Sequence, residues 1–432
     1  MTETSRPVRP SVLCSTSAPR VLPGPLRQPR SSVVHPAPRR RRPPTGLRGS
    51  GRGGVRVRWC VGAVVRGPRR GDWRVRRGGA RVRRGGAPYG GSMSTPLRDR
   101  VPFPAGGASL PTGPAGVRWR RLTAADAPEV YELRRRAGRV DHPNFVVSRE
   151  EIESDLTRVE LAPDRDTAGA TDVAGRLVAY GLVVRPAESE SLVKVLLDGH
   201  VDPDRRGEGI GRRLLDWQQA RGLEILAEHE EPLPGWLLTQ SDVGSAHVVD
   251  LLQRAGFEPR RYWLELRRDL AEPIPEAPLE AGLRIVDYSP AVAEPVRLAK
   301  NEAFRDHWGS QPMSADDWAA RDELPIARHD LSFVVLDGDE VAGFLLTTVN
   351  AEESEQLGFP FGYVELVGTR AAYRGRGVAR ALLVHALAAF REAGLEQAVL
   401  DVDSESPTGA VGLYASVGFR EANRSLSLVR EW

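Results

Sequence analysis

Two arginine- and glycine-rich segments carry the clearest chemistry in this 432-residue sequence. One is Arg206–Gly211 (Arg-Gly-Glu-Gly-Ile-Gly) and the other is Arg374–Ala379 (Arg-Gly-Arg-Gly-Val-Ala). Each follows a strand-like run and precedes a long helix-like run. At such a junction the first main-chain N–H groups of the helix lack partners inside the helix, and the helix dipole adds partial positive charge. The pattern therefore predicts two phosphate-binding loops.

The small residues of these loops let a diphosphate approach the main-chain amides, and the arginines add positive charge at the rim. A surface turn of the same composition is the alternative for either segment taken alone. The candidate binding residues of the second loop are Arg374, Gly375, Arg376, Gly377, Val378 and Ala379. Those of the first loop are Arg206, Gly207, Gly209 and Gly211.

Glu365 is a carboxylate in the middle of an apolar, strand-like run, between Val364 and Leu366. Such a position is unfavourable unless the side chain faces a polar cleft, because burial penalises a charged carboxylate. Burial also moves a carboxyl group towards the range in which it accepts a proton near neutral pH. We interpret Glu365 as a candidate general base, with an exposed carboxylate at a strand edge as the alternative.

The composition restricts the classes of protein and of chemistry. Both cysteines, Cys14 and Cys60, lie in the first 92 residues, so the rest of the chain has neither a disulfide nor a cysteine-based metal site or nucleophile. No run of 18 apolar residues is present, so we expect a cytoplasmic protein without membrane contact. We also expect no metal. A monomer and a homodimer remain equally compatible with the sequence.

Residues 1–92 differ in composition from the rest of the chain. They hold 22 arginines against only Glu3 and Asp72, together with 12 prolines and 15 glycines. Such a segment cannot bury enough apolar surface to offset the entropy lost on ordering, so we predict that it is disordered. Clustered arginines also suit a nucleic-acid-binding arm or a transit peptide, but no recognition fold or amphipathic helix accompanies them. We favour an extension that is not translated, with translation starting at Met93.

Beyond residue 117 the sequence indicates two similar blocks. Leu251–Phe257 (Leu-Leu-Gln-Arg-Ala-Gly-Phe) recurs as Leu413–Phe419 (Leu-Tyr-Ala-Ser-Val-Gly-Phe), in each case after an arginine- and glycine-rich loop. Pro273–Pro278 indicates a linker between the blocks. We therefore predict an N-terminal domain over 117–270, a linker over 271–281 and a C-terminal domain over 282–432.

The second block is predicted as an alternation of strands and helices around its loop. Before the loop we expect strands at Leu283–Asp287, Leu331–Leu336, Val341–Val349 and Tyr363–Thr369, and helices at Ala291–Trp308 and Ser314–Asp322. After the loop we expect helix Val378–Ala393, strand Ala398–Val402, helix Thr408–Ser416 and strand Ser425–Val429. The first block follows the same order from Val117 to about Asp269.

The order of these features resembles that of the GNAT superfamily of N-acetyltransferases. The acyl-CoA-binding signature of that family is Arg/Gln-x-x-Gly-x-Gly/Ala, and the resemblance covers nearly all of 117–432. It implies an α/β (α+β) chain of two tandem GNAT domains, each a mixed, mostly antiparallel sheet flanked by helices. It further implies acetyl-CoA as the cosubstrate, held through its pyrophosphate by the loop amides, and a small-molecule amine as the acceptor.

The resemblance also implies roles for single residues of the second block. Tyr414 stands where many GNAT enzymes place the tyrosine that protonates the CoA sulfur, and an aromatic residue packed under Phe419 is the alternative. Glu365 resembles the strand glutamate that serves as base, often through water. The backbone N–H of Val367 would meet the thioester oxygen, and simple strand alternation puts Tyr363, Glu365 and Val367 on one face.

The sequence departs from the family pattern in both blocks. Leu252 aligns with Tyr414 and Leu197 aligns with Glu365, so the first block lacks both proton-handling side chains and we expect it to be catalytically degenerate. Ser406 stands before the last helix, where relatives often carry an asparagine that contacts the cofactor arm. The hydroxyl of Ser406 is the candidate replacement.

The acceptor in this fold enters between the early helical region and the far strands, so the candidate substrate residues are Asn301, Asp306, His307 and Trp308. We expect direct transfer of acetyl to a primary amine of a small molecule in a ternary complex. The tandem architecture resembles that of the mycothiol synthases, which acetylate a cysteinyl amine on a sugar-linked small molecule. That reaction is the specific alternative, and a non-catalytic acyl-CoA-binding or regulatory module is the alternative from another class.

Overall fold

The structure is a computed structural model that describes residues 94–102, 107–143, 146–158, 161–185, 189–406 and 408–432. The disorder predicted for residues 1–92 lies outside these residues. Within them, no helix has the length and apolar character needed to cross a lipid bilayer.

The described residues form strands and helices whose order repeats once along the chain. The strands are β1 Arg118–Arg120, β2 Thr167–Thr171, β3 Leu177–Val184, β4 Val193–Val201, β5 Gly235–Asp242, β6 Glu258–Asp269, β7 Leu283–Asp287, β8 Phe333–Asp337, β9 Glu340–Thr348, β10 Phe361–Thr369, β11 Gln397–Asp403 and β12 Arg420–Glu431. The helices are α1 Leu97–Arg100, α2 Ala127–Asp141, α3 Arg149–Thr157, α4 Pro163–Asp166, α5 Ile210–Leu226, α6 Ala246–Arg254, α7 Ala293–Ala303, α8 Ala315–Asp322, α9 Ala351–Leu357, α10 Val378–Glu392 and α11 Ala410–Ser416.

All of these strands join one twelve-stranded mixed sheet, in the order β1-β2-β3-β4-β5-β12-β6-β11-β10-β9-β8-β7. We call the part before residue 271 the first half and the part after residue 281 the second half. The pairs β4–β5 and β10–β11 are parallel, and the other pairs are antiparallel. The predicted mixed, mostly antiparallel α/β architecture is therefore confirmed, with both halves in one sheet.

The last strand of each half lies in the sheet of the other half. Strand β12 of the second half pairs with β5 of the first half, from Ser425 opposite Asp242 to Glu431 opposite Trp236. Strand β6 of the first half pairs with β11 of the second half, and β6 and β12 also pair with each other. Neither half therefore completes its sheet with its own chain.

The strand exchange extends to the hydrophobic cores. Leu264 and Leu266 of β6 are buried in the core of the second half, under α10. Leu426 and Leu428 of β12 are buried in the core of the first half, under α5. Because each half buries leucines supplied by the other half, the stability of one depends on the other.

Helices α3 and α8 begin in the same way in the two halves. The Ser148 hydroxyl accepts a hydrogen bond from the main-chain N–H of Glu151 at 3.2 Å, at the start of α3. The Ser314 hydroxyl accepts one from the N–H of Asp317 at 3.1 Å, at the start of α8. These N-caps fix the start of each helix, and so they also fix which later residues face the sheet.

Residues after α7 join the two halves instead of extending the helix. The predicted helix Ala291–Trp308 is wrong at its end, because α7 stops at Ala303 and Trp308 then stacks on Trp236 of β5, with ring centroids 4.9 Å apart. The guanidinium of Arg261 of β6 also lies over the Trp308 ring, 5.4 Å from its centroid. The cross-half packing of Trp308 outweighs continuation of the helix.

The only two lysines of the sequence donate hydrogen bonds to the segment that follows α7. Lys194 of β4 donates a hydrogen bond to the Gly309 carbonyl at 2.6 Å, and Lys300 of α7 donates one to the Gln311 carbonyl at 3.1 Å. Burial, together with the charge of Lys300, lowers the pKa of Lys194 to about 7. Burial lowers the pKa of Lys300 to about 8.

These two lysines predict that the protein becomes more stable as the pH rises from about 7 to 10. In this window an unfolded lysine, with its ordinary pKa of 10.5, keeps a proton that the folded one has lost. Each group contributes up to about 1.4 kcal/mol per pH unit. Urea unfolding at several pH values measures this slope, and the variants Lys194→Met and Lys300→Met should each have a shallower one. An identical slope in all three proteins would contradict the assignment.

Candidate active site

Strands β10 and β11 of the second half form the walls of the predicted site. They pair in parallel over Phe361–Tyr363 opposite Gln397–Val399, and the pairing ends there although both strands continue. The arginine- and glycine-rich loop follows the end of β10 and leads into α10. The parting of these strands therefore opens next to the predicted phosphate-binding loop.

The second loop has the backbone that phosphate binding requires. Gly375 and Gly377 adopt φ values of 81° and 78°, and a Cβ atom placed on either would meet no atom within 4 Å. The N–H of Ala381 bonds to the Gly377 carbonyl at 2.9 Å and closes the first turn of α10. The N–H groups of Gly377, Val378 and Ala379 precede this bond and have no acceptor inside the helix. The loop residues thus fit a diphosphate, with open space beside the glycines.

The two arginines of the second loop have different surroundings. Arg374 donates to the Thr369 carbonyl at 3.4 Å and to the Ala303 carbonyl at 3.2 Å, so it ties the loop to β10 and α7. Arg376 pairs with Glu280 at 2.7 Å on the protein surface. Arg376 is therefore the arginine placed at the rim, whereas Arg374 supports the loop from inside.

The first loop repeats this geometry and opens into a large cavity. Gly207 and Gly209 have φ values of 83° and 81°, and the N–H of Arg213 bonds to the Gly209 carbonyl at 3.2 Å. Arg206 is held by Asp141 at 2.7 Å. The cavity measures about 870 Å³ and lies where β4 and β5 part. Gly211 also lines it.

Glu365 is the extra residue of a β-bulge in β10. Val364 pairs with Thr347 of β9 and Leu366 with Leu346, so Glu365 has no opposite residue. The bulge shifts the alternation of side chains by one residue. The predicted common face of Tyr363, Glu365 and Val367 is therefore wrong: Val367 joins the core under α10, whereas Glu365 contacts α8.

Arg321 of α8 is the partner of Glu365. Its guanidinium donates to the Glu365 carboxylate at 2.5 Å, and the two side chains are 4% and 18% exposed. Burial by itself would lower the pKa of Arg321, but Glu365 and Asp322 raise it above its usual value. Arg321 also pairs with Asp322 at 2.6 Å, and Asp322 accepts a hydrogen bond from the Tyr288 hydroxyl. Glu365 thus ends a buried chain of charged and polar groups.

Sequence reasoning missed Arg321, although a signal for it exists. Arg321 follows Trp318 by three residues, so both side chains lie on the same face of α8, and Trp318 is buried against the sheet. An arginine on the apolar stripe of a capped helix indicates a buried anionic partner. The partner cannot be read from the sequence, because it lies 44 residues further along the chain.

Tyr414 is buried within the second half, with 1% of the residue exposed. It lies on α11, and its ring meets that of Phe419 edge-on at 5.9 Å. The same continuous core cluster contains Val367 and Ala379 of the loop region. The hydroxyl of Ser406 is hydrogen-bonded with that of Thr408 at 2.8 Å, and α11 begins at Ala410 instead of the predicted Thr408.

The four candidate substrate residues lie in and after α7. Asn301 holds the following loop, since its side chain bonds both the N–H and the carbonyl of Met313, at 2.9 and 3.1 Å. Asp306 is exposed, and Trp308 stacks on Trp236. Burial lowers the pKa of His307 to about 4, which leaves a neutral imidazole. A substrate role for these residues stays a prediction.

Comparison with known proteins gives the class. Residues 294–419 match the Acetyltransferase (GNAT) family. The sequence is 30% identical to a mycothiol acetyltransferase of Frankia alni over 331 residues, which is 72% of this chain and 94% of the relative. It is 33% identical to a mycothiol acetyltransferase of Thermobispora bispora over 226 residues, 51% of this chain and 70% of the relative.

The fold agrees with this match. A tandem GNAT protein from the clavulanic acid biosynthesis pathway superposes with a TM-score of 0.54 at 16% identity, over 73% of this chain and 98% of the other. The chain belongs to the GNAT acetyltransferase family and is an N-acetyltransferase. Among its relatives is a mycothiol acetyltransferase that this chain matches over nearly the whole length of that relative.

The Arg321–Glu365 pair predicts strong coupling in stability. Arg321→Met should lower the free energy of unfolding by about 3–5 kcal/mol, because it leaves a buried carboxylate without its cation. Adding Glu365→Leu should recover part of this loss, as urea unfolding of both single variants and the double variant would show. The matched control is Arg328→Met, since the Asp330 partner of Arg328 is exposed and the expected change is below about 1 kcal/mol. Additive effects of the two changes would contradict the coupling.

Proposed function

We propose that the second half transfers an acetyl group from acetyl-CoA to a primary amine of a small molecule, by direct attack in a ternary complex. The observation that carries this proposal is the parting of β10 and β11 beside a loop whose amides suit a diphosphate. The bulge that carries Glu365 lies at the same point of β10. A nucleotide-bound thioester and a carboxylate would thus share one cleft.

The loop Arg374–Ala379 supplies the contacts for the CoA pyrophosphate. The N–H groups at the start of α10 point out of the helix end, where the helix dipole favours negative charge. Arg376 adds a cation at the rim. The main-chain N–H of Val367 and the hydroxyl of Ser406 are the further proposed contacts, to the thioester oxygen and to the cofactor arm.

Two side chains would handle the protons. An alkylamine is mostly protonated near neutral pH, so a base that takes its proton aids attack, and an acid aids departure of the thiolate. We assign these roles to Glu365 and Tyr414. While Glu365 is paired with Arg321, it accepts a proton only at the expense of that ion pair. We therefore propose that a bound water relays the proton to Glu365 and that the ion pair with Arg321 weakens as the proton arrives.

Acetylation of a mycothiol-type acceptor is the second candidate. The mycothiol acetyltransferase of Frankia alni matches 94% of its own length, which includes both halves of this chain. Shared architecture leaves the acceptor open, because the same fold serves many substrates. The cysteinyl amine of a sugar-linked small molecule is therefore the acceptor to test first.

We also propose the division of the chain that the sequence predicts, with domains at 117–270 and 282–432 and a linker at 271–281. Strand β6 ends at Asp269, immediately before this linker. Because β6 and β12 are exchanged, each of these domains would need the other to complete its sheet. A monomer and a homodimer both satisfy this arrangement.

Release of free thiol tests the proposed reaction. The full chain is mixed with acetyl-CoA and a panel of amines that includes cysteinyl glycosides, and thiol release is followed with a colorimetric reagent. We expect release that depends on the amine, with an N-acetyl product in the mass spectrum. Tight CoA binding with no turnover on any amine would favour the non-catalytic binding module.

Tyr414→Phe should lower turnover by about 10²–10⁴-fold, the usual contribution of a positioned proton-transfer group. The dissociation constant for CoA, measured by calorimetry, should change little, because the ring and its packing on Phe419 are retained. Tyr131→Phe is the matched control, since its hydroxyl bonds Glu352 outside the proposed site. Unchanged turnover in Tyr414→Phe would remove this hydroxyl from the mechanism.

A further inference from the structure

The cavity of the first half combines features of a functional site that the sequence did not predict. It follows the parting of β4 and β5, which pair only from Val193 to Leu196, and Arg206–Gly211 borders it. Its polar lining near β4 includes Arg134, His142, Glu151, Asp155, Arg158, Asp198 and His200. A phosphate-binding loop and a cluster of titratable side chains thus open into one space of about 870 Å³.

Asp155 occupies the place in the first half that Arg321 occupies in the second. Each lies seven residues after the serine that caps its helix, Ser148 for α3 and Ser314 for α8. In the second half the helix supplies the arginine and the strand supplies the carboxylate of Glu365. In the first half the strand position is the apolar Leu197, and the helix supplies the carboxylate.

Asp155 differs from Glu365, to which Arg321 donates a hydrogen bond directly. Its Oδ1 atom is buried and has no hydrogen-bond partner within the part of the chain that the structure describes. Burial raises the pKa of Asp155 to about 7, with Asp198 and Glu151 adding to the rise and with Arg158 and Arg134 opposing it. A carboxyl group of this kind exchanges a proton near neutral pH.

Two other groups of this cluster, Asp198 and His142, are not suited to accept a proton near neutral pH. Asp198 accepts hydrogen bonds from Arg134 at 2.6 Å and from the Tyr180 hydroxyl at 2.9 Å. Although burial opposes it, Arg134 holds the pKa of Asp198 far below its usual range. Burial and the nearby His200 lower the pKa of His142 to about 3. Asp155, whose buried Oδ1 atom has no hydrogen-bond partner among the described residues, is therefore better suited than Asp198 or His142 to accept a proton.

We propose that the first half holds a second acyl-transfer centre, in which the loop Arg206–Gly211 binds an acyl-CoA and Asp155 accepts the proton of a small primary amine in the cavity. This inference goes beyond the reaction proposed for the second half. In this centre a carboxylate on α3, across the cleft, takes the role that the strand glutamate has in the second half. A first half that keeps the loop and the cavity but has Leu197 at the strand position agrees with this role.

The chemistry balances with these groups alone. The amine nitrogen forms a bond to the thioester carbonyl carbon, and the carbon–sulfur bond breaks with its electron pair on sulfur. The proton lost by nitrogen passes to the Asp155 carboxylate, which later returns it to solvent. Because Leu252 stands where the second half has Tyr414, the departing thiolate takes its proton from water. This centre is therefore expected to be slower than one with an acid at that position.

The test uses the full chain with the second half silenced by Glu365→Gln and Tyr414→Phe. Thiol release from acetyl-CoA is measured with the amine panel between pH 5.5 and 8.5. We expect residual amine-dependent release that rises with pH through about 7, as Asp155 becomes a carboxylate. Adding Asp155→Asn should lower this release by about 10²-fold or more and remove the rise with pH. Glu153→Gln, an exposed change on the same helix, is the matched control.

The role of the first loop is tested in the same silenced chain. Gly209→Asp should raise the KM for acetyl-CoA at least tenfold, because the added charge repels phosphate, whereas Gly209→Asn should raise it less. Both replacements tolerate a positive φ better than most residues, so the pair isolates the charge. Circular dichroism melting checks that each variant is folded. Equal KM values for the two variants would overturn the proposed binding of acyl-CoA at this loop.

The outcomes separate the two centres. Circular dichroism melting first checks that the silenced chain is folded, since Glu365→Gln changes the buried pair with Arg321. In the folded chain, complete loss of release, or release that persists unchanged with Asp155→Asn, overturns the second centre and leaves the function proposed for the second half untouched. Release that is unaffected by the Glu365 and Tyr414 changes and is lost with Asp155→Asn supports the second centre and overturns the proposal for the second half.

Discussion

The exchange of β6 and β12 is the constraint on which the rest of the structure depends. Main-chain hydrogen bonds of β12 complete β5, and those of β6 complete β11, so neither half has a finished sheet without the other. The buried leucines of each exchanged strand then fill the core of the opposite half. An unpaired strand edge exposes a row of polar main-chain groups. Separation of the halves would leave β5 and β11 with such edges, unpair β6 and β12, and remove buried leucines from both cores.

This shared sheet also positions the two clefts. The parallel pairs β4–β5 and β10–β11 are each bordered by an exchanged strand at the centre of the sheet, β12 beside β5 and β6 beside β11, and each pair parts before its strands end. A parallel pair that parts leaves a space between its strands, and the loop that follows the first strand enters a long helix at that space. The same skeleton therefore builds one strand–loop–helix junction twice, with matching φ values at Gly209 and Gly377.

The two clefts differ in where their charges lie. In the second half, Arg321 on α8 neutralises Glu365 on a β-bulge, so the carboxylate is fixed and its charge is balanced. In the first half, β4 pairs with β3 without a bulge, and the Oδ1 atom of Asp155 on α3 has no hydrogen-bond partner among the residues that the structure describes. The two copies of the fold thus share the backbone of the loop and carry a carboxylate on different elements, the strand β10 in the second half and the helix α3 in the first.

The sequence by itself determined the two loops, the strand β7 and the capped start of α8, because each follows from neighbouring residues. It also determined the repeat, because two such local patterns recur in the same order. The helix α9 was missed, although Asn350 as its cap and Gly358 at its end are signals of the same local kind. Only the tertiary structure decided the strand exchange, the bulge at Glu365, the Arg321 pair and the docking of Trp308 on Trp236. These contacts join residues far apart in the chain. The sequence of an apolar strand is compatible with pairing in either half, and only the assembled sheet and cores select its partner.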